Sequence, residues 1–427
     1  MITQEEYKLR RDKLAKKLKN NSMAYISSAE LKTRSHDTQF PFRQESNFYY
    51  LSGFKEDSSH LLFIKKNHKV KVILFVEKKD PNLELWNGKR LGVKEAKKLF
   101  LVDKVFENSS ISSKLKKYSE GLKHIYYDFA SKPILLETYL KSRTFISHGE
   151  LSTLIANMRL VKSTQEIKLI KEALIITKEA HHNAMKNAKK AHYEYELLAE
   201  FEYIFKKNGA YSDAYTSIIA GANNANTLHY IKNDELLKDG DLILIDAGCE
   251  YEYYASDITR TIPYNGKFTL AQQELYEMVL DVEEKIISMV KPNIKRSYLQ
   301  KQAVKFLVEG MLKCGILKGD FKTIIKKELY KKYYPHGIGH WMGLDVHDNA
   351  PYADGKNKEI PLAVGMVLTI EPGIYIDKDD ENVPKKYRGI GIRIEDDILV
   401  TKDGFQNLSK DIIKSVKEIE IMAKGKK

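Results

Sequence analysis

After residue 157 the chain twice lays down two long helical stretches followed by two short strand-like runs, and this alternation restricts the fold more than any other feature of the sequence. The first pass opens with NMRLVKSTQEIKLIKEALIITKEAHHNAMKNAKK, where Ser163 and Thr164 supply a helix start and Glu166 lies near the first turn. Ile167, Ile170, Leu174 and Ile175 then recur at helical spacing, which predicts a long amphipathic helix. A second helix begins near Tyr193, and DLILIDAG (241–248) and SDITRTIPY (256–264) read as strands. The second pass has helices over about 270–290 and 296–316 and strands in GMVLTIEPG (365–373) and IGIRIEDDILV (390–400), with a closing helix over about 408–421. No residue-level identity accompanies the outline, so it predicts an internal pseudo-repeat of architecture.

The first 156 residues have a different texture. A helix over about 3–20 precedes a segment rich in strand formers and aromatics, with Phe40, Phe42, Phe48, Tyr49, Tyr50 and Phe54. HLLFIKK (60–66) and VKVILFVEK (70–78) read as strand, turn and strand, followed by a helical stretch at 92–101 and the apolar run HIYYDF (124–129). The expectation is a two-domain α/β protein, with a smaller α/β domain over 1–156 and a second domain over 157–427, because 427 residues exceed what one core usually serves. The first domain lacks a phosphate-cradling glycine loop.

Composition removes several function classes. With 43% hydrophobic and 30% charged residues, extended disorder has little room. No run approaches the roughly 20 apolar residues of a membrane span, and the start MITQEEYKLRRDKLAKKLKN mixes acids and bases, so no membrane association and a cytoplasmic location are expected. The net charge of +13 lies wholly in residues 1–160, with 31 basic and 18 acidic side chains, while residues 161–427 hold 40 of each. It is spread over lysines without an arginine-rich or aromatic stripe, so no nucleic-acid partner is expected. Cys249 and Cys314 are read as free thiols, and Cys249 as core. His181 and His182 read as helix-surface residues, and Trp86 and Trp341 as packing residues.

The chemistry concentrates in the second domain. Asp246 ends LILID, whose continuous apolar character implies a strand buried on both faces, where a charge needs a partner. Asp257 stands at the entrance to the next strand, and a hairpin through Gly248 to Ser256 would set the two carboxylates side by side. Glu371 ends VLTIE; alternation gives it the face of Val367 and Thr369, and gives Arg393 that of Glu395. Between them HGIGHWMGLDVHD (336–348) carries His336, His340 and His347 among Gly337, Gly339 and Gly343, which let backbone pass close to a site. Taken singly these residues have structural readings: Asp246 as a strand-end acceptor, Glu395-Asp396-Asp397 as a solvated turn, Arg393 as an ion-pair partner. Together, four carboxylates and one imidazole suit two divalent cations, with Asp246 and Asp257 on the first, Asp257 and Glu395 bridging, and His340 and Glu371 on the second. Such a set favours manganese, iron(II) or cobalt(II) over a thiolate-type zinc site; two ions about 3.5–4 Å apart sharing a water are equipment for amide hydrolysis.

In order, IDAG with Asp246, ASDITRT with Asp257, HGIGHWMGLDVHD, TIEPG with Glu371 and GIRIED with Glu395 resemble the creatinase/methionine aminopeptidase superfamily, the pita-bread metallopeptidases. The resemblance spans about 160–410, and FRQESNFYYLSGF (42–54) is similar to the amino-terminal domain of the aminopeptidase P family. It implies a pita-bread catalytic domain, two divalent ions per chain with manganese foremost and cobalt(II), iron(II) or zinc accommodated, and a peptide substrate with proline second, cut at the Xaa–Pro bond. It further implies that His229 in NTLHY positions substrate, His336 lines the proline side, and His347 hydrogen-bonds the substrate carbonyl or tetrahedral intermediate. Glu371 would help activate the shared water and Arg393 would support the pocket. A homodimer is expected from the resemblance and from the aromatic QFPFRQESNFYYLSGF segment. The nearest alternative is an Xaa-Pro dipeptidase, which closes around the proline carboxylate. A non-enzymatic binding member of the fold is a further one, although such relatives typically lose ligands that this chain keeps. The metal-free creatinase mechanism is disfavoured by the complete ligand set.

Overall fold

A two-residue turn fixes the register of the first sheet. Asn67 and His68 both adopt positive φ, 50° and 62°, the backbone of a tight hairpin whose twist matches its strands, and Lys66 pairs with Lys69 across it. In the computed structural model, which describes residues 1–131 and 133–425, this hairpin belongs to a unit spanning Met1–Met158, and a second unit spans Arg159–Lys427. The first unit holds a six-stranded sheet in the order Lys104–Glu107, Lys69–Val76, His60–Lys66, Ser22–Ser27, His124–Tyr127, Ser147–Glu150. Its central pairs are antiparallel and its outer ones parallel. Alternate residues Met23, Tyr25, Leu62, Ile64, Ile73 and Phe75 share one buried face.

The aromatic segment after residue 40 is partly helical despite its strand formers. Glu45 accepts the N–H groups of Asn47 and Phe48 at 3.0 and 2.6 Å, Gly53 ends the turn at φ 68°, and all seven residues of the helix Ser46–Ser52 are buried. End chemistry and burial outweigh the intrinsic preference of Phe48, Tyr49 and Tyr50. Trp86 departs from its expected packing role. It is 84% exposed on the helix Pro81–Asn87, which buries none of its residues and offers the ring no core to enter.

In the second unit the helix Thr164–Asn187 starts with a full capping box between Ser163 and Glu166, and Glu194–Lys207 follows. Strands Ile218–Gly221, Leu242–Asp246 and Thr259–Pro263 form an antiparallel sheet in which Asp246 faces Thr259. A smaller hairpin, Cys249–Tyr251 with Tyr254–Ala255, fills the connection that returns the chain. After helices Leu270–Ser288 and Arg296–Lys313, strands Val367–Ile370, Asp396–Thr401 and Gly404–Asn407 make a second three-stranded sheet. The run expected as one strand over 390–400 is two. Gly391–Arg393 pairs with Gly373–Tyr375, whereas Asp396–Thr401 pairs with Val367–Ile370. Glu395 stands at this change of partner, its N–H donating to Thr259 O at 3.1 Å. The last helix is Val416–Ala423, begun by Ser415, later than the sequence suggested because the preceding residues serve other groups.

Those groups centre on Arg260, which is fully buried and has every N–H engaged. It donates to the carbonyls of Thr259, Glu395, Ile412 and Ile413 and to Asp396 Oδ1 at 2.7 to 3.0 Å. Asp396 also accepts from Lys414 and Asn407, and Lys414 reaches Glu283, so the charges are paired inside the unit. His181 corrects the surface reading: it is 1% exposed, bonds Ala247 O through Nε2 at 3.0 Å and meets Phe201 edge-on. The helical period places it on the apolar stripe, while His182, one residue on, accepts from the N–H of Ile413. Cys249 and Cys314 are free, and Cys249 is buried. Among the described residues no helix is long and apolar enough to cross a membrane.

Candidate metal centre

All nine residues singled out in the sequence line one cavity of about 660 Å³: Asp246, Asp257, His340, Glu371, Glu395, His229, His336, His347 and Arg393. The strand ends deliver the carboxylates. Asp246 closes Leu242–Asp246, Asp257 precedes Thr259–Pro263, Glu371 lies between two strands and Glu395 occupies the partner change. Gly339 lets the histidine loop cross the strand below, since a Cβ there would sit 1.9 Å from Thr369 O. Gly343 is similarly tight, with Lys162 and Asp348 beside it, whereas Gly337 has room for a side chain.

Within the cavity, ligand atoms of Asp257, His340 and Glu395 fall within 4.8 Å of one another. His340 Nδ1 lies 3.1 Å from Trp341 O; a carbonyl only accepts, so Nδ1 carries a proton and Nε2 is the ring atom turned to the acids. That Nε2 faces Asp257 Oδ2 at 3.2 Å and Glu371 Oε1 at 3.7 Å. An imidazole nitrogen set between carboxylates is satisfied by a positive charge there, a proton on Nε2 or a metal ion in its place.

The electrostatics say the same. Burial, then the charges of Asp257, Glu371 and Asp246, drive the Glu395 carboxyl well above its usual range. Glu371 is pushed up to about 7 by burial, only partly opposed by His340 and Arg393. Burial also raises Asp246, against the pull of Arg393. For His340 burial acts downward, but the bond to Asp257 and the charge of Glu371 prevail and lift it to about 9. Each shift marks negative charge lacking a counterion, and an oxygen-rich set with one imidazole nitrogen fits divalent cations. Asp246 and Glu371 border the tight group of three without belonging to it, Asp246 being held by Tyr215 and Arg393.

His336 and His347, beside this group, stay neutral. Burial, then the Arg393 charge, lowers His336 to about 4, and its Nε2 lies 2.8 Å from Tyr375 OH. Burial, then the His340 charge, also lowers His347, whose ring meets His340 edge-on at 4.1 Å. Arg393 directs its donors to Asp246 Oδ2 (2.7 Å), Tyr375 OH (3.0 Å) and Thr259 Oγ1 (3.0 Å).

Several supporting residues escaped the sequence reading. Thr259 donates to Glu395 Oε2 at 2.7 Å, Tyr215 to Asp246 Oδ1 at 2.6 Å, and Asp397 accepts the N–H of Asp257 at 3.1 Å. Strand parity could have found two of them, since Thr259 alternates with Asp257 and Asp397 with Glu395. Tyr215 gave no such signal. Asp396 and Asp397 are both fully buried, so the acidic run read singly as a solvated turn is interior. Arg296 and Tyr352 also line the cavity.

Comparisons with known proteins agree in extent and in kind. Residues 168–402 match the model of metallopeptidase family M24, and residues 7–126 that of the aminopeptidase P N-terminal domain. The chain is 38% identical to an Xaa-Pro aminopeptidase of Haemophilus influenzae over 98% of this chain and 97% of that one. Among solved structures, proline aminopeptidase P II from Yersinia pestis superposes with a TM-score of 0.96 at 37% identity, covering 99% of this chain and 100% of that one. A zinc-substituted E. coli aminopeptidase P in complex with product gives 0.94 at 37% identity, covering 99% and 98%. This chain therefore belongs to metallopeptidase family M24 and, within it, to the Xaa-Pro aminopeptidases that carry an aminopeptidase P N-terminal domain.

Proposed function

We propose that this protein is a dinuclear metallopeptidase that removes the first residue from peptides with proline in second position. The observation that carries the reading is the ring of four carboxylates and His340 Nε2 lining one cavity. Asp246 and Asp257 would hold one cation, His340 and Glu371 the second, and Asp257 and Glu395 would serve both, with manganese foremost and cobalt(II), iron(II) or zinc also suited to the donor set. Bound divalent ions supply an activated water and a polarising charge on the carbonyl oxygen.

The chain's own residues do the rest. The substrate ammonium group enters among the acids, and His229 positions the peptide. His347, held neutral, donates an N–H to the carbonyl oxygen as negative charge builds there. Glu371 takes the proton released by the attacking water and returns it to the proline nitrogen, so the C–N bond breaks after the oxygen has added to the carbonyl carbon. His336, neutral and held by Tyr375, offers an uncharged wall to the proline ring, whose fixed geometry a shaped pocket can recognise. Arg393 keeps Asp246 oriented.

Residues 1–156 form the aminopeptidase P-like domain and 157–427 the catalytic one. The protein acts in the cytoplasm as a homodimer, with a peptide as its partner and neither nucleic acid nor membrane. Comparing kcat/KM for a matched Xaa-Pro dipeptide, tripeptide and pentapeptide tests the function. The tripeptide and pentapeptide should lose their first residue at least as efficiently as the dipeptide is split, with little cleavage when alanine replaces proline. Activity confined to the dipeptide would assign the protein as a dipeptidase instead, and indifference to proline would remove the specificity claimed. Sedimentation showing only monomer at micromolar concentration would refute the dimer.

A further inference from the structure

The cavity contains one cation that has no carboxylate bonded to it. Among the described lining residues, the only permanently charged cations are Arg393 and Arg296. Arg393 is engaged by Asp246, Tyr375 and Thr259. Arg296 is not matched in this way: Nη1 donates to Gly339 O at 3.0 Å, the guanidinium lies 4.5 Å over the Tyr352 ring, and Nε is buried with no hydrogen-bond partner. Against burial, the nearby carboxylate of Glu359 is held low by its bonds to Ser297 and in part by the charges of Lys295 and Arg296, but it makes its hydrogen bonds away from Arg296, its oxygens accepting the N–H and hydroxyl of Ser297 at 2.7 and 2.5 Å.

Its position is also unfavourable. Arg296 is the first residue of the 18-residue helix Arg296–Lys313, whose first turn contains no acid and whose preceding residue, Lys295, gives no side-chain cap. The helix dipole favours anions at that end and opposes a guanidinium. A half-buried arginine kept there, with open donors beside a cavity that receives peptides, is arranged for an incoming anion. It flanks Gly337, where a Cβ would lie 3.6 Å from Nη1, and so stands next to His336 on the side that takes proline and the residues after it.

We propose that Arg296 is a specificity-determining residue that binds a carboxylate on the leaving side of the substrate, the C-terminal carboxylate of a short peptide. The inference rests on the peptidase reading for the orientation of the substrate. It implies that the enzyme prefers free short peptides to long ones of the same leading sequence, as Arg296 adds a charge-assisted contact only when the chain ends within reach. An acidic side chain at the same place presents the same chemistry, and the test separates the two sources.

Two measurements decide it. In the first, kcat/KM is compared for Xaa-Pro-Yaa tripeptides as free acids and as C-terminal amides, and for amides in which Yaa is glutamate or glutamine. The free acid should lead its amide by about tenfold, the size of one charge-assisted hydrogen bond at a partly exposed site. Arg296→Gln should bring the ratio to about one, and Arg296→Lys should keep an intermediate ratio. In the second, calorimetry measures binding of a Pro-Yaa dipeptide and of its amide to metal-loaded protein, which needs no turnover. Equal rates and equal affinities for acid and amide in the wild-type protein would overturn the proposal, and so would an unchanged ratio in Arg296→Gln. A preference for glutamate over glutamine in the amides, without one for the free terminus, would also overturn it and assign Arg296 to side chains. Absence of hydrolysis combined with an Arg296-dependent preference in calorimetry would sink the peptidase reading and leave the carboxylate site standing.

Discussion

Removing the hydroxyl of Thr259 isolates the contribution of a residue that acts on the carboxylate group only through Glu395 and Arg393. The hydroxyl donates to Glu395 Oε2 at 2.7 Å and accepts from Arg393 Nε at 3.0 Å, all three side chains being buried. Thr259→Val keeps the shape and β-branching of the side chain and its place in the strand, but leaves a carboxylate oxygen and a guanidinium N–H without that partner. A hydrogen bond to a charged group contributes about 1.5–3 kcal/mol, and outer partners of metal ligands typically change metal affinity by about 10–100-fold. The expected outcome is a loss of divalent-ion affinity within that range, with kcat at saturating metal falling less. Thr259→Ser, which restores the hydroxyl, should recover most of it. Competition titration against a fluorescent chelator reads the affinity, and thermal unfolding of the metal-free proteins confirms that the fold persists. A Thr259→Val protein that binds manganese within about twofold of wild type would refute the claim that Glu395 depends on this bond.

Glu395→Ala should lower turnover by several orders of magnitude with the protein still folded, His229→Ala by much less, and near-normal turnover of the former by steady-state kinetics would exclude the ligand assignment. Chelation should abolish hydrolysis and manganese or cobalt should restore it; elemental analysis of active, dialysed protein finding no transition metal would contradict the two-ion centre. Buried His181 has its pKa lowered to about 3 by desolvation. Because the unfolded ring takes up a proton near pH 6.5, the fold loses about 1.4 kcal/mol per pH unit from this group as pH falls below that value. Denaturant titrations between pH 7 and 5 should show that loss reduced in His181→Gln, and identical slopes in both proteins would count against it.

The parts of the site legible in the sequence were those where one residue type was unfavourable in its context. Asp246 at the end of LILID and Glu371 at the end of VLTIE stand out because apolar strands do not tolerate an unpaired charge. Parity then placed Arg393 with Glu395, and both line the cavity although the strand breaks between them, because Glu395 is carried across to Thr259. What stayed hidden depended on contacts distant in sequence. Tyr215 reaches Asp246 from 31 residues away, and Arg296 comes to the cavity from a helix end 43 residues before Gly339 closes against it. His181 was misread because adjacent histidines look alike in a string, whereas the helical period turns one toward Ala247 and the other toward Ile413. The helix Ser46–Ser52 was masked by aromatic composition, and its capping glutamate is visible only once the backbone is seen to turn there.

The five-fold engagement of Arg260 bears on how the enzyme comes into being. During synthesis the segment with Asp246, Asp257 and Arg260 is made long before residues 395–414, and domains emerge amino-terminus first. Until the late segment arrives, Arg260 lacks Asp396 and the carbonyls of Glu395, Ile412 and Ile413. Glu395 and the segment that locks its backbone are therefore delivered together, well after Asp246 and Asp257. A nascent chain holding Asp246, Asp257, His340 and Glu371 but not yet this clamp has most of the acids and lacks Glu395, the carboxylate that joins Asp257 and His340 in the tight group. The tight group of Asp257, His340 and Glu395 is thus closed only once residues 395–414 have been made and have folded back onto Arg260.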